Sequence, residues 1–241
     1  MRTDTGQVFK LEDYRANDYL IPETNLTFRL SPEATIVTAT LTIERREGVA
    51  SSAPLVLDGD GLTLHRVEID GRKAAAEDFL ATPDQLTIVR PPAANRFQLI
   101  LETELAPARN EALMGLYRSS NVYCTQCEAE GFRRITYFLD RPDILSVYTV
   151  RVEAPRHEAP LLLSNGNPVE AGDLADGWHY AVWHDPFPKP SYLFALVAGN
   201  LGLVGDSFVT MSGRKVELGI YVEPGKEKLA GYAMDALKRS M

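Results

Sequence analysis

Alternation constrains this chain more than any other feature. Val37, Ala39, Leu41 and Ile43 take turns with Thr38, Thr40, Thr42 and Glu44. A period of two sends one side chain into a core and the next to solvent, which is the pattern of a half-buried strand. Tyr148, Val150 and Val152 interleave with Thr149, Arg151 and Glu153, and Trp178, Tyr180 and Val182 with His179, Ala181 and Trp183. Phe97, Leu99 and Leu101 follow the same rule, although Ile100 blurs the phase. Shorter strands fit Asn25–Leu30, Leu62–Ile69 and Gln85–Val89. Between the runs stand Asp58-Gly59, Asp60-Gly61, Asp70-Gly71, Asn165-Gly166 and Asp176-Gly177, dipeptides that accept positive φ and suit tight turns. Many short strands with this punctuation predict an all-β fold, a sandwich or open double sheet.

Three stretches depart from the period. Tyr192–Gly199 is continuously apolar and reads as a strand buried on both faces. Ala106 to Asp143 has no clean period and is rich in charge; irregular stretches of that length inside a domain are often functional. At the end, Phe208–Met211, the Ser212-Gly213 turn and Val216–Val222 read as a hairpin. Leu229, Tyr232, Ala233, Ala236 and Leu237 then recur at helical spacing, predicting a helix over Lys226–Met241. No capping glycine follows that helix, so the chain is expected to stop inside a longer polypeptide.

Composition excludes several functions. With 25 Lys and Arg against 33 Asp and Glu, the net charge is −8 over 241 residues. That balance, without a basic run, argues against a nucleic-acid partner. Tyr192–Gly199 is the longest apolar run, far short of the ~20 residues that span a bilayer. The opening Met-Arg-Thr-Asp-Thr-Gly lacks the apolar core of a leader. Two cysteines cannot build a disulfide framework. The chain reads as soluble and cytoplasmic, with no membrane partner.

Isolated motifs carry little chemistry. Cys124-Thr-Gln-Cys127 is a lone C-x-x-C, which suits buried structural thiols, a redox pair or half of a metal site. His65, His157, His179 and His184 fall in no H-E-x-x-H, and neither a G-x-S-x-G elbow nor a phosphate loop occurs. Glu128, Glu130, Arg133, Arg134, Asp140, Arg141 and Asp143 read either as solvated charges and ion pairs or as a pocket wall for a cation. No catalytic residue and no metal ligand can be assigned.

Longer stretches are more specific. Cys124-Thr-Gln-Cys-Glu-Ala-Glu-Gly-Phe-Arg133, continuing through Ile135-Thr-Tyr-Phe-Leu-Asp-Arg-Pro-Asp143, closely resembles the N-terminal part of the bacterial aminopeptidase N family of gluzincin zinc aminopeptidases. So does Asp185-Pro-Phe-Pro-Lys-Pro-Ser-Tyr-Leu-Phe-Ala-Leu-Val-Ala-Gly199. The resemblance runs from Asp13-Tyr-Arg and Asp18-Tyr19, through Leu163-Ser-Asn-Gly-Asn167, to Ser212-Gly-Arg214 and the final helix.

The resemblance implies a saddle-like β domain of two sheets over residues 1–200. Residues 201–241 would be the opening hairpin and helix of an incomplete thermolysin-like catalytic domain. The zinc motif, its third glutamate, the G-A-M-E-N loop and the oxyanion tyrosine would lie beyond Met241, so zinc belongs to the parent and this chain alone is expected to be inactive. The family's Gln-x-Glu maps onto Gln126 and Glu128, which would hold the α-amino group of a peptide substrate. Its partners would be that peptide and the missing catalytic domain. Pro186–Pro190 would wall the interface. Two rivals remain: a freestanding, non-catalytic β-sandwich binding module, and a thiol redox protein using Cys124 and Cys127.

Overall fold

The computed structural model describes residues 10–241; the opening hexapeptide read for a leader lies outside them. Strands dominate, as the alternation predicts. Thr35–Arg45 is the clearest case: every second residue from Thr35 to Arg45 is buried, and the intervening threonines keep a half-wet face. It sits mid-sheet, antiparallel to Tyr19–Arg29 on one side and Arg96–Leu105 on the other. The full order across this eight-stranded sheet is Asn167–Asp173, Trp178–Pro190, Leu145–Pro155, Tyr19–Arg29, Thr35–Arg45, Arg96–Leu105, Thr63–Ile69 and Arg72–Lys73. Tyr19–Arg29 and Leu145–Pro155 run parallel. The chain between them therefore needs a long excursion, since parallel neighbours cannot be joined by a tight turn. Asp70-Gly71 makes one of the predicted tight reversals, with φ of 49° and 73°.

That excursion builds much of the opposing layer. A four-stranded sheet runs Leu161–Ser164, Leu196–Gly199, Val122–Gln126, Gly115–Ser119, and a three-stranded one Leu55–Asp58, Gln85–Ile88, Phe79–Thr82. One continuous core joins all three sheets. Phe28 stacks on Phe194 at 5.9 Å, and Phe132 meets Tyr148, Phe194 and Phe138 edge-on at 6.0, 5.3 and 4.8 Å. The odd residues Phe97, Leu99 and Leu101 face this core, which settles the phase that Ile100 blurs.

Three expectations are corrected. Tyr192–Gly199 is not one strand: Ser191–Leu193 is a 3-10 turn and only Leu196–Gly199 is extended. Leu193 and Ala195 face solvent, so the apolar run reflects one buried side and one exposed side. The stretch Ala106–Asp143 is not irregular throughout. It contains the Gly115–Ser119/Val122–Gln126 hairpin, and Ile135 to Asp140 is buried at every position. Full burial removes the wet face on which periodicity depends, which is why no period shows. Gly59 makes no free turn either; it keeps its place because a Cβ there would lie 2.6 Å from Cε1 of Tyr137.

At the C-terminal end Gly202–Val209 pairs with Lys215–Val222, and a 3-10 turn at Glu227–Ala230 leads into the helix Gly231–Ser240. The hairpin starts before Phe208 and the helix later than Lys226. The turn and helix pack through Ala230 and Met234, while Leu229, Tyr232, Ala233 and Ala236 of the expected stripe face outward. Among the described residues no helix is long and apolar enough to cross a membrane.

Candidate functional site

Gln126 ends a strand held on both edges. On one side Gly115 pairs with Gln126. On the other Tyr123 and Cys124 pair with Ala198 and Val197, and the Leu196 N–H donates to Thr125 Oγ1 at 2.8 Å. Cys127 then turns into the core, and the Gly131 N–H donates to the Cys127 carbonyl at 2.8 Å. Glu128, Ala129 and Glu130 are left exposed on the short loop between, whose Glu128–Ala129 peptide bond is cis. Gly131 is required by crowding: a Cβ would lie 2.4 Å from the Gln126 carbonyl oxygen and 2.9 Å from Cys127 Cα.

The far end of the loop is anchored twice. Phe132 fills the aromatic cluster, and Arg133 reaches a buried carboxylate. Asp140 is only 3% exposed, and its Oδ2 accepts from both the N–H and the Nε of Arg133, each at 3.1 Å. Arg133 Nη2 donates to the Asp140 carbonyl at 3.0 Å, and Ser191 Oγ donates to Asp140 Oδ1 at 2.5 Å. Asp58 lies 3.8 Å from the guanidinium and accepts from the Asp140 N–H at 3.3 Å. Burial pushes the Asp58 carboxyl above its usual range, against the pull of Arg133.

Two carboxylates on this loop differ in their surroundings. Glu130 ion-pairs with Arg133 at 3.6 Å. The Glu128 carboxylate has no hydrogen bond or ion pair among the described residues. Gln126 donates its Nε2 to the main-chain carbonyl of Glu128 at 3.3 Å. That bond uses one of the two amide N–H donors and leaves Oε1 as an acceptor. An unpaired carboxylate and an amide oxygen carried two residues apart on one short loop suit a ligand rich in N–H donors and carrying positive charge.

The other sequence candidates do not converge here. Ion pairing accounts for the remaining charges: Arg134 with Asp60 at 3.0 Å and Arg141 with Asp143 at 2.9 Å. Burial raises both thiols, Cys127 further than Cys124 and with Asp140's charge adding to it. A redox pair needs the opposite shift, so both read as structural. Three histidines hold local partners: His65 with Glu104 at 2.8 Å, His179 with the Ala159 carbonyl at 2.7 Å, and His184 with Thr149 at 3.0 Å. Among the described residues no group of three or more His, Cys, Asp or Glu side chains is placed to hold a metal ion. Pro186–Pro190 ends the strand Trp178–Pro190, with Pro186, Phe187 and Pro188 exposed. Lys189 is buried there, 2.9 Å from Asp185 and 4.1 Å from the Tyr148 ring centre. Burial lowers the Lys189 ammonium more than Asp185 raises it. Burial is the largest influence on Asp185 and pushes it up, yet it lies below its ordinary value because the bond to Lys189, the Phe187 N–H and the Lys189 charge together outweigh burial. The clamp formed by Asp140 and Ser191 is what pattern reading misses, because its members lie 51 positions apart.

Comparison with known proteins follows the same lines. Residues 16–193 match the family described as peptidase M1 N-terminal domain. An aminopeptidase N of Caulobacter vibrioides is 54% identical over 241 residues, covering 100% of this chain and 27% of its own length. An aminopeptidase N of Escherichia coli is 48% identical, covering 99% of this chain and 27% of its own length. The solved aminopeptidase A of Legionella pneumophila, in complex with aspartic acid, is similar at TM-score 0.91 and 36% identity, over 97% of this chain and 27% of that one. The chain thus spans about a quarter of the length of the curated relatives it matches.

Proposed function

The chain belongs to the peptidase M1 N-terminal domain family, and from that premise we propose that it is the N-terminal part of a zinc-dependent aminopeptidase. In that enzyme it covers the active site and holds the α-amino group of a peptide substrate with Gln126 and Glu128. The observation that carries this reading is the unpaired Glu128 carboxylate on a clamped loop whose main chain Gln126 bonds, in contrast to the paired Glu130. An unblocked peptide N-terminus brings an ammonium to that position. Carboxylate and ammonium ~4 Å apart attract by about 4 kcal/mol at an effective dielectric of 20, before desolvation. An acylated terminus carries no such charge, so the same contact would select for removal of single residues.

The family implies zinc, and the described residues do not fit it: they offer no ligand set. No step of the hydrolysis is therefore assigned to a metal on this chain. The domain boundary belongs to the same proposal. It falls near Asn200, where the strand Leu196–Gly199 ends and the hairpin Gly202–Val222 begins its own two-stranded sheet. Free thiols at Cys124 and Cys127 suit a reducing compartment and support a cytoplasmic location.

The test is kinetic, in the full-length enzyme that carries this chain. Removing one partner of a desolvated charge pair costs about 2–5 kcal/mol. Glu128→Ala is therefore expected to lower kcat/KM for free N-terminal substrates by roughly 30-fold to several thousand-fold. Gln126→Ala costs less, because a neutral hydrogen bond contributes less than a charge-assisted one. Glu130→Ala stays near the parent. Near-normal turnover in Glu128→Ala, or a worse result for Glu130→Ala, overturns the assignment.

A further inference from the structure

We propose that Asp140 is a positioning residue for the amine anchor: acting through Arg133, it sets where the loop presents the Glu128 carboxylate without itself meeting the substrate. The proposal rests on the reading of Gln126 and Glu128 given above. Three observations carry it. First, Asp140 is almost wholly buried and each carboxylate oxygen has a distinct task. Oδ2 takes the main-chain N–H and the Nε of Arg133, and Oδ1 takes the Ser191 hydroxyl. Second, those bonds gather three separate segments: the Phe132–Arg134 turn that ends the loop, the Ser191–Leu193 turn, and Asp58 at the end of Leu55–Asp58, which accepts from the Asp140 N–H. Third, the loop is short and closed. Gln126 is fixed in its hairpin, Gly131 bonds back to Cys127, and Arg133 follows two residues later.

Clamping both ends of so short a loop removes conformational freedom that substrate binding would otherwise have to remove. The other side-chain tethers of the loop are weaker: Gln126 Nε2 makes one neutral bond to the Glu128 carbonyl at 3.3 Å, and the Glu130–Arg133 pair is exposed on the glutamate side. Charge-assisted bonds to a buried carboxylate hold far better. A purely structural alternative gives Asp140 one task, neutralising a half-buried Arg133. The two readings differ in whether the loss of Asp140 is felt by the substrate amine.

The experiment compares two competitive inhibitors in the full-length enzyme. One is the free amino acid of its best aminoacyl substrate and the other is the same molecule without the α-amino group: L-leucine and 4-methylpentanoate for a leucine-preferring enzyme. The readout is the ratio of their inhibition constants, which isolates the amine contact. Asp140→Ala is expected to shrink the amine's advantage about tenfold, roughly one pair's coupling, while leaving the desamino acid bound as before. Asp140→Asn should restore most of it. Its oxygen can still accept from Arg133, and its amide can donate to Ser191, whose hydroxyl also accepts. Ser191→Ala, which keeps Asp140 paired with Arg133, should lose about two- to threefold. It carries the test if Asp140→Ala fails to fold.

In a Glu128→Gln background, Asp140→Ala should shift the ratio no further, because the group it positions has lost its charge. Equal weakening of both inhibitors overturns the proposal. So does an undiminished effect of Asp140→Ala beside Glu128→Gln, or a wild-type ratio in Ser191→Ala. A wild-type ratio in Glu128→Gln alone would instead sink the amine-anchor reading on which the proposal stands.

Discussion

Asp58 illustrates how one side chain can work against the fold that contains it. Burial raises its carboxyl above the ordinary 3.8, the charges of Asp140 and Glu130 add to this, and Arg133 and the Asp140 N–H oppose it without prevailing. The folded state therefore keeps this proton to a higher pH than the unfolded chain does. Stability from this group is present at low pH and declines as pH rises from 3.8 through the folded value. At neutral pH the ionised carboxylate is a cost. Asp58→Asn keeps an acceptor for the Asp140 N–H and discards the charge, while Arg133 retains Asp140. Thermal unfolding at pH 7 should give a higher Tm for Asp58→Asn than for the parent. The gap should close as the pH falls toward 3.8. A lower Tm at pH 7 would mean that the attraction of Arg133 outweighs desolvation after all. Glu128 and Glu130 make the complementary point. They are indistinguishable by residue type, yet Arg133 pairs with Glu130 and leaves the Glu128 side chain alone.

An element is legible in sequence when it has one dry face and one wet one. Thr35–Arg45 and Leu145–Pro155 satisfy that condition, and their alternation in sequence is their alternation in burial. Ile135 to Asp140 has no wet face, so its place at the centre of the core leaves no period to read. Its polar members, Thr136 and Asp140, suggest a surface stretch, yet both are buried. The candidate loop was visible through a resemblance spanning many residues. Its clamp was not, because Asp140 and Ser191 meet only after two sheets have closed on each other. The loop itself offers a test at this scale. A methyl group on Gly131 would press on Gln126 O at 2.4 Å, Cys127 Cα at 2.9 Å and Gly115 N at 3.1 Å, all of them main-chain atoms. None can swing aside as a side-chain tip would. Gly131→Ala is therefore expected to cost about 1–3 kcal/mol in denaturant unfolding, the range for overpacking. It should also displace the loop that holds Glu128. A change below ~0.5 kcal/mol, the scale of an ordinary surface substitution, would show that the hairpin and loop are looser than this geometry requires.

On the scale of the whole molecule, the β layers share one extensive buried core with single apolar side chains such as Leu80 and Phe187 exposed, whereas the hairpin–helix unit after Asn200 exposes many of its large apolar side chains. Leu203, Val209, Met211, Tyr221, Leu229 and Tyr232 are all exposed on that unit. The turn and helix dock through Ala230 and Met234, leaving Leu229, Tyr232, Ala233 and Ala236 of the predicted stripe outward and Leu237 half-buried. Exposed apolar surface of this kind favours association, and the proposed full-length enzyme would cover it with the rest of its own polypeptide. Taken alone, the 241-residue chain should therefore self-associate. A net charge of −8 opposes that, since two copies repel at low ionic strength. Salt screens the repulsion over a Debye length that shrinks from about 30 Å at 0.01 M to about 10 Å at 0.1 M, while apolar contact persists. The expected signature is a sedimentation-derived mass that rises with protein concentration and rises again with added salt. Association driven by ion pairs would weaken with salt instead. Leu203→Ser combined with Tyr232→Ser should return the chain to monomer without lowering its Tm, because neither side chain belongs to the core. A chain that stays monomeric at every concentration and salt, or a double variant that associates as the parent does, would place the sticky surface elsewhere. The hairpin–helix unit would then be stable with its apolar face in water, and the boundary proposed near Asn200 would lose one of its supports.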